Sequence, residues 1–144
     1  MIMPRYLLLT VLLLIAGCAQ LPPPPEDAAA KRFEALPDRA VIYLARPAPD
    51  PTFIVPVMLN DRMIGSTYHG TFLRIEVPAG RHVLRGMAGD SGTITVDAAA
   101  GRIYYVEHRA YGYRTFTDSS FHAVDPRRGQ ALVRNGQIAA LISF

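Results

Sequence analysis

The longest apolar run lies near the start of the chain: Leu7-Leu8-Leu9-Thr10-Val11-Leu12-Leu13-Leu14-Ile15. Arg5 precedes it, and the small residues Ala16 and Gly17 follow it. A membrane-spanning helix needs about 20 apolar residues, so this run is too short for one. Leu21-Pro22-Pro23-Pro24-Pro25 can form neither a helix interior nor a central strand. It predicts a semi-rigid polyproline II spacer of about 3.1 Å per residue. Glu26 to Leu36 then reads as a short helix, with acids in its first turn, Asp27 and Lys31 four apart, and Pro37 at its end. Phe33 and Leu36 are placed to dock on whatever follows.

From Asp38 the apolar period changes to two. Ala40 to Arg46 is apolar on both faces up to its last residue, which predicts a central strand. Phe53 to Leu59 is the next strand. Pro56 cannot donate to a ladder, so it pushes that strand to an edge or a bulge. Asn60-Asp61 reads as a tight turn into Arg62-Met63-Ile64-Gly65. Thr71 to Val77 alternates cleanly, with Leu73, Ile75 and Val77 inward and Arg74 and Glu76 outward. Strands Arg81–Met87, Thr93–Val96 and Arg102–Arg109 follow, separated by Gly-rich turns including Gly89-Asp90-Ser91-Gly92. Tyr111 to Phe116 reads as an aromatic loop or extended edge, and Ser119 to Val124 as one more strand. Asp125-Pro126 is a helix start, with Asp as N-cap and Pro in the first turn, and Gly136 is its stop. The apolar tail Ile138–Phe144 predicts a short strand. The sum is a mainly β chain: an antiparallel β-sandwich over 38–144, with a short N-terminal and a short C-terminal helix. No parallel βαβ unit is expected.

Arg5, the apolar run and the Ala16-Gly17 pair form the three parts of an export signal. The next residue is Cys18, the only cysteine in the chain. Ile15-Ala16-Gly17-Cys18 resembles a bacterial lipobox, which implies cleavage between Gly17 and Cys18. It also implies a diacylglyceryl group on the sulfur and an acyl group on the new amino terminus. A thiolate is the right nucleophile for such a transfer. One acyl chain binds a bilayer only marginally, whereas two or more anchor stably. Residues 1–17 are then a leader and 18–37 a lipidated tether ending in the short helix. By the same resemblance, Ala19 in place of Asp after the cysteine implies the outer membrane, facing the periplasm, rather than the inner membrane.

Composition changes this picture little. Lys and Arg total 15 against 12 Asp and Glu, and a sequence pI near 9.3 reflects a small excess. All bases except Lys31 are Arg, and no basic run exceeds Arg127-Arg128, so nucleic acid is not an expected partner. With Cys18 acylated, no intramolecular disulfide can form, and the domain must stand on its core alone.

Leu59-Asn60-Asp61-Arg62-Met63-Ile64-Gly65, then Leu73 to Val77 and Pro78-Ala79-Gly80-Arg81-His82-Val83-Leu84, resembles the PEGA-type β-domain. The later Gly101-Arg102-Ile103-Tyr104-Tyr105 is similar to a strand of a family of small bacterial lipoproteins whose shared domain has no assigned function. The resemblance covers about residues 38–135. It implies a surface-tethered sandwich, PEGA- or immunoglobulin-like, and brings no catalytic residue with it.

Candidate chemistry is sparse. His69, His82, His108 and His122 show no short ligand spacing, so no metal site is expected; His82 reads as a hydrogen-bonded structural residue beside a turn. His108 and His122 could meet across strands. Ser119, Ser120, His122 and an acid would have to converge for hydrolysis, and no nucleophile elbow is present. Glu76 and Glu107 read as solvent-facing strand positions. Aromatics beside Arg are what interface hot spots use, which marks Arg109, Tyr111, Tyr113 and Arg114 as a candidate partner or ligand surface. A two-residue period must send one of Tyr104 and Tyr105 inward. The expectation is a non-enzymatic envelope lipoprotein without a cofactor other than its lipid. Its partner would be an envelope protein or cell-wall component; the alternative is a small-ligand or metal-binding envelope sensor.

Overall fold

Every residue of strand β1, Ala40–Ala45, is buried. No polar side chain interrupts it, so both of its faces need cover, and the rest of the chain supplies that cover in two layers. The structure, a computed structural model, describes residues 24–51, 54–87, 92–113 and 116–142. Residues 1–17, expected to be a leader, Cys18, the first part of the proline run, Phe53, Gly89-Asp90-Ser91, expected to be a turn, Arg114 and Phe144 lie outside the described residues. In chain order the elements are α1 (Pro25–Ala30), β1, β2 (Val55–Leu59), β3 (Arg62–Thr67), β4 (Thr71–Val77) and β5 (Gly80–Gly86). They continue with β6 (Thr93–Ala98), β7 (Ile103–Tyr113), β8 (Phe116–Ala123), α2 (Pro126–Asn135) and β9 (Gln137–Ile138).

Two sheets form, in the orders β8-β7-β1-β4-β9 and β3-β2-β5-β6. The first has β1 at its centre, as its two-faced apolar pattern demands. Between the sheets lies one apolar cluster drawn from both: Ile42, Leu44, Leu73, Ile75, Val57, Leu84, Val96 and Val106 among others. A second cluster covers the other face of β1, where Val41, Tyr43, Phe72 and Tyr105 meet Ala30 of α1 and Val133 of α2. The architecture is therefore a sandwich-like pair of sheets with helices on one outer face.

The all-antiparallel expectation needs correcting. β1 runs parallel to β7, with Val41 opposite Ile103 and Ala45 opposite Glu107. β9 runs parallel to β4. Parallel neighbours need a long crossover. For β1 and β7 the chain in between builds the whole second sheet and also β4, which pairs with β1 on its other side. β8, α2 and β9 add a strand–helix–strand unit that carries the chain across the first sheet from one edge to the other. Periodicity reports which face a residue buries; it carries no information about the direction of the neighbouring strand.

Other local readings hold or shift for definite reasons. Asn60 and Asp61 both take positive φ, 48° and 64°, as a two-residue hairpin turn requires. β2 is not an edge strand: it lies between β3 and β5, and its pairing with β3 slips between Val57 and Met58. Pro56 is tolerated because it faces the very end of β5, one residue beyond the last register pair Val57↔Gly86. Its carbonyl accepts from the Met87 N–H. α1 is shorter than its sequence suggests, because Phe33, at φ 54°, turns the chain out of the helix. That turn lays the Phe33 ring 5.5 Å from Tyr43 and under the Arg134 guanidinium. α2 begins and ends where expected, with the Asp125 side chain accepting from the Arg128 N–H and Gly136 at the C-cap. No helix among the described residues is long and apolar enough to cross a membrane.

Candidate interaction surface

The two-residue period of β7 sends Tyr105, Glu107, Arg109 and Tyr111 to the outer face of the first sheet, the face that carries the helices. The register with β8 sets Glu107 opposite His122, Arg109 opposite Ser120 and Tyr111 opposite Asp118 on that same face. Cover decreases along the strand. Tyr105 is buried under α2 and stacks on Tyr43, with ring centroids 5.5 Å apart. Tyr111, at the far end, is 52% exposed. Tyr104 points the other way, packs on the inter-sheet core, and accepts the Ala99 N–H on its hydroxyl. Tyr105 is therefore core, and Tyr104 is half-buried on the opposite face.

Where cover gives way, Glu107 holds two guanidiniums. Arg109 Nε donates to one carboxylate oxygen at 2.8 Å, and Arg128 Nε of α2 donates to the other at 3.0 Å. Both arginines are nearly half exposed, whereas the Glu107 side chain is 9% exposed. Glu107 is thus not the solvent-facing position its alternation suggests, because α2 closes over it. Burial pushes its pKa up, but the bonds and charges of Arg128 and Arg109 outweigh burial and hold the carboxyl below its usual range. Further out, Tyr111 Oη lies 3.3 Å and His122 Nε2 3.2 Å from the Ser120 hydroxyl. Tyr113 closes β7 opposite Phe116 in the backbone register, and Arg114 lies outside the described residues.

The histidines do not assemble. His108 sits opposite Phe121 and faces the sandwich interior, whereas His122, opposite Glu107, faces outward. His108 is fully buried, stacked on Phe121, with Nδ1 2.8 Å from Thr67 Oγ1 and Nε2 3.0 Å from Ser119 Oγ. Burial, helped by the nearby charge of Arg46, pushes its pKa down to about 3, so it stays neutral. His82 accepts from the Asn60 side-chain amide on Nδ1, because its Nε2 must donate to the Pro78 carbonyl. It is the structural histidine expected beside that turn. His69 Nδ1 donates to the Ala48 carbonyl, and its ring packs edge-on against Tyr68. Among the described residues no group of three or more His, Cys, Asp or Glu is placed to hold a metal.

The Ser–His–acid arrangement also comes apart. Ser119 points inward to His108, and Ser120 points outward to His122. Asp118 accepts from the Ser119 N–H.

One polar cluster escaped the sequence reading, and a second proves larger than the Asp27–Lys31 pair expected there. Arg46 is fully buried at the end of β1, where its Nε donates to Asp50 at 2.6 Å and its other nitrogens reach the Pro51 and Thr67 carbonyls. Asp50 also accepts the Ala110 N–H, tying the proline loop to β7. The available signal was a lone Arg closing an otherwise apolar strand, with Asp four residues on. In the second cluster the Asp27–Lys31 pair proves to be a clamp. Asp27 is 1% exposed and takes Lys31 on Oδ2 at 2.7 Å and the Ile138 N–H on Oδ1 at 2.8 Å. Lys31 also donates to the Gly136 carbonyl. The first described helix is thereby bolted to the C-terminal strand.

Comparison with family models, with curated proteins and with solved structures returns no match to this chain.

Proposed function

We propose that this chain is a lipid-anchored lipoprotein of the cell envelope, a non-enzymatic module with a PEGA-like sandwich. In this reading it is acylated on Cys18 after cleavage behind Gly17. It stands on the periplasmic side of the outer membrane and presents the β7–β8–α2 face, with Arg109 and Tyr111, to an envelope protein or cell-wall component. The observation that carries the reading is the Ile15-Ala16-Gly17-Cys18 sequence directly after an apolar run too short to span a bilayer. The proline run behind it suits a spacer. The clamp at Asp27 supports the same idea, since a domain pulled by its N-terminus needs its first helix fastened to the rest.

Replacement of Cys18 by Ala tests the anchor. The parent protein should incorporate labelled palmitate and pellet with membranes, and C18A should do neither. Membrane association of C18A at the parental level refutes the anchor. Metal analysis of the purified protein separates this reading from a metal-binding sensor, which requires stoichiometric metal.

A further inference from the structure

Beside the Glu107 bridge lies a groove of about 240 Å³ between α2 and the loop that follows β1. Arg109, Arg128 and Arg46 line it together with Asn135, Leu132 and Gly70. Among the described residues no carboxylate lines it. The acids that balance these arginines stand behind them or to one side. Glu107 grips Arg109 and Arg128 from beneath, Asp50 is buried with Arg46, and Asp125 caps α2.

The geometry points to this groove as a binding site for a small oxyanion, a carboxylate or phosphoryl group on the end of a larger envelope molecule. A guanidinium presents five N–H donors in a rigid fork. Glu107 uses the Nε edge of Arg128, and the Nε and one terminal nitrogen of Arg109. Donor capacity therefore remains on both side chains, and both line the groove. Their positions are already set by the shared carboxylate, so an incoming oxyanion need not order two long flexible side chains. The volume is below the usual 300–1,000 Å³ of sites that enclose a drug-sized ligand. It suits a terminal group rather than a whole small molecule. The inference rests on the surface proposed above, since Arg109 belongs to both, but not on the lipid anchor.

Titration of the purified full chain with inorganic phosphate, and separately with acetate, tests it. Ionic strength is held constant with chloride, and the arginine Nε–H resonances are followed by NMR. Saturable shifts confined to Arg109 and Arg128 are expected. The stronger of the two probes tells whether the group is tetrahedral or planar. R109Q and R128Q should each weaken binding roughly tenfold, about 1.4 kcal/mol. R81Q, which removes only an exposed pair with Asp97 on the other sheet, should leave binding unchanged. Equal shifts with chloride alone, no saturation by about 50 mM, or undiminished binding in both R109Q and R128Q overturns the site. An unlipidated protein that still binds the anion removes the anchor and leaves the groove; a lipidated one that ignores both anions does the reverse.

Discussion

Gly129 sits in the middle of α2, on the helix face that also buries Val133. In an exposed helix interior, replacing Gly by Ala stabilises by about 1 kcal/mol, because Ala loses less backbone entropy. Here the sign should reverse. A β-carbon at position 129 would lie 2.2 Å from Tyr105 Cγ, 2.3 Å from its Cβ and 2.4 Å from Cδ1. Tyr105 cannot swing away freely, since it is buried and stacked on Tyr43. Either α2 lifts or the stack breaks. Overpacking of this kind costs about 1–3 kcal/mol, and a broken aromatic pair adds roughly 0.5–1.5. After the propensity gain, a net loss of about 1–3 kcal/mol is expected, or roughly 4–8 °C in Tm per kcal/mol for a domain of this size. Urea and thermal unfolding of the full chain measure it. R127A, on the exposed side of the same helix, should lie within about 0.5 kcal/mol of the parent. In a Y105A background the obstacle is gone, and G129A should then stabilise. A G129A protein more stable than the parent would show that α2 does not pack on Tyr105 as described.

His108 makes stability pH-dependent with a definite sign. Unfolded, it takes a proton near its usual value of about 6.5; folded, it resists protonation to about 3. Its contribution is therefore intact above the unfolded value and falls as pH drops from there toward about 3. The slope approaches about 1.4 kcal/mol per pH unit. Urea midpoints between pH 7 and 4 should show that slope, and H108Q should lose it; an unchanged slope in H108Q refutes the assignment. Glu107 acts lower on the scale: its depressed folded pKa gives stability above the unfolded carboxyl value, lost as pH falls through the folded one. E107Q should flatten the acid limb of the same profile. D27N keeps an acceptor for the Ile138 N–H but strips Lys31 of its charge partner, and should cost about 1–3 kcal/mol in unfolding assays. A cost within measurement error would mean that the clamp carries no load.

Much of the local structure was legible in the sequence because its causes are local. Asn60-Asp61 can only be a turn of its type, since few other side chains accept positive φ twice in succession. Asp125-Pro126 and Gly136 bracket α2 because capping and ring geometry act within one turn. Ala40–Ala45 announced a central strand because six apolar residues in extended form need two covered faces. Strand direction, by contrast, came only from the fold: the parallel partnership of β1 with β7 joins residues 62 apart, and nothing in either strand encodes it. The same holds for the polar clusters. Glu107 looked solvated because alternation assigns a face but cannot know that α2 covers it, and Arg128 reaches it across 21 residues. Period and capping are properties of a segment; burial and charge pairing are properties of whatever the finished chain brings alongside.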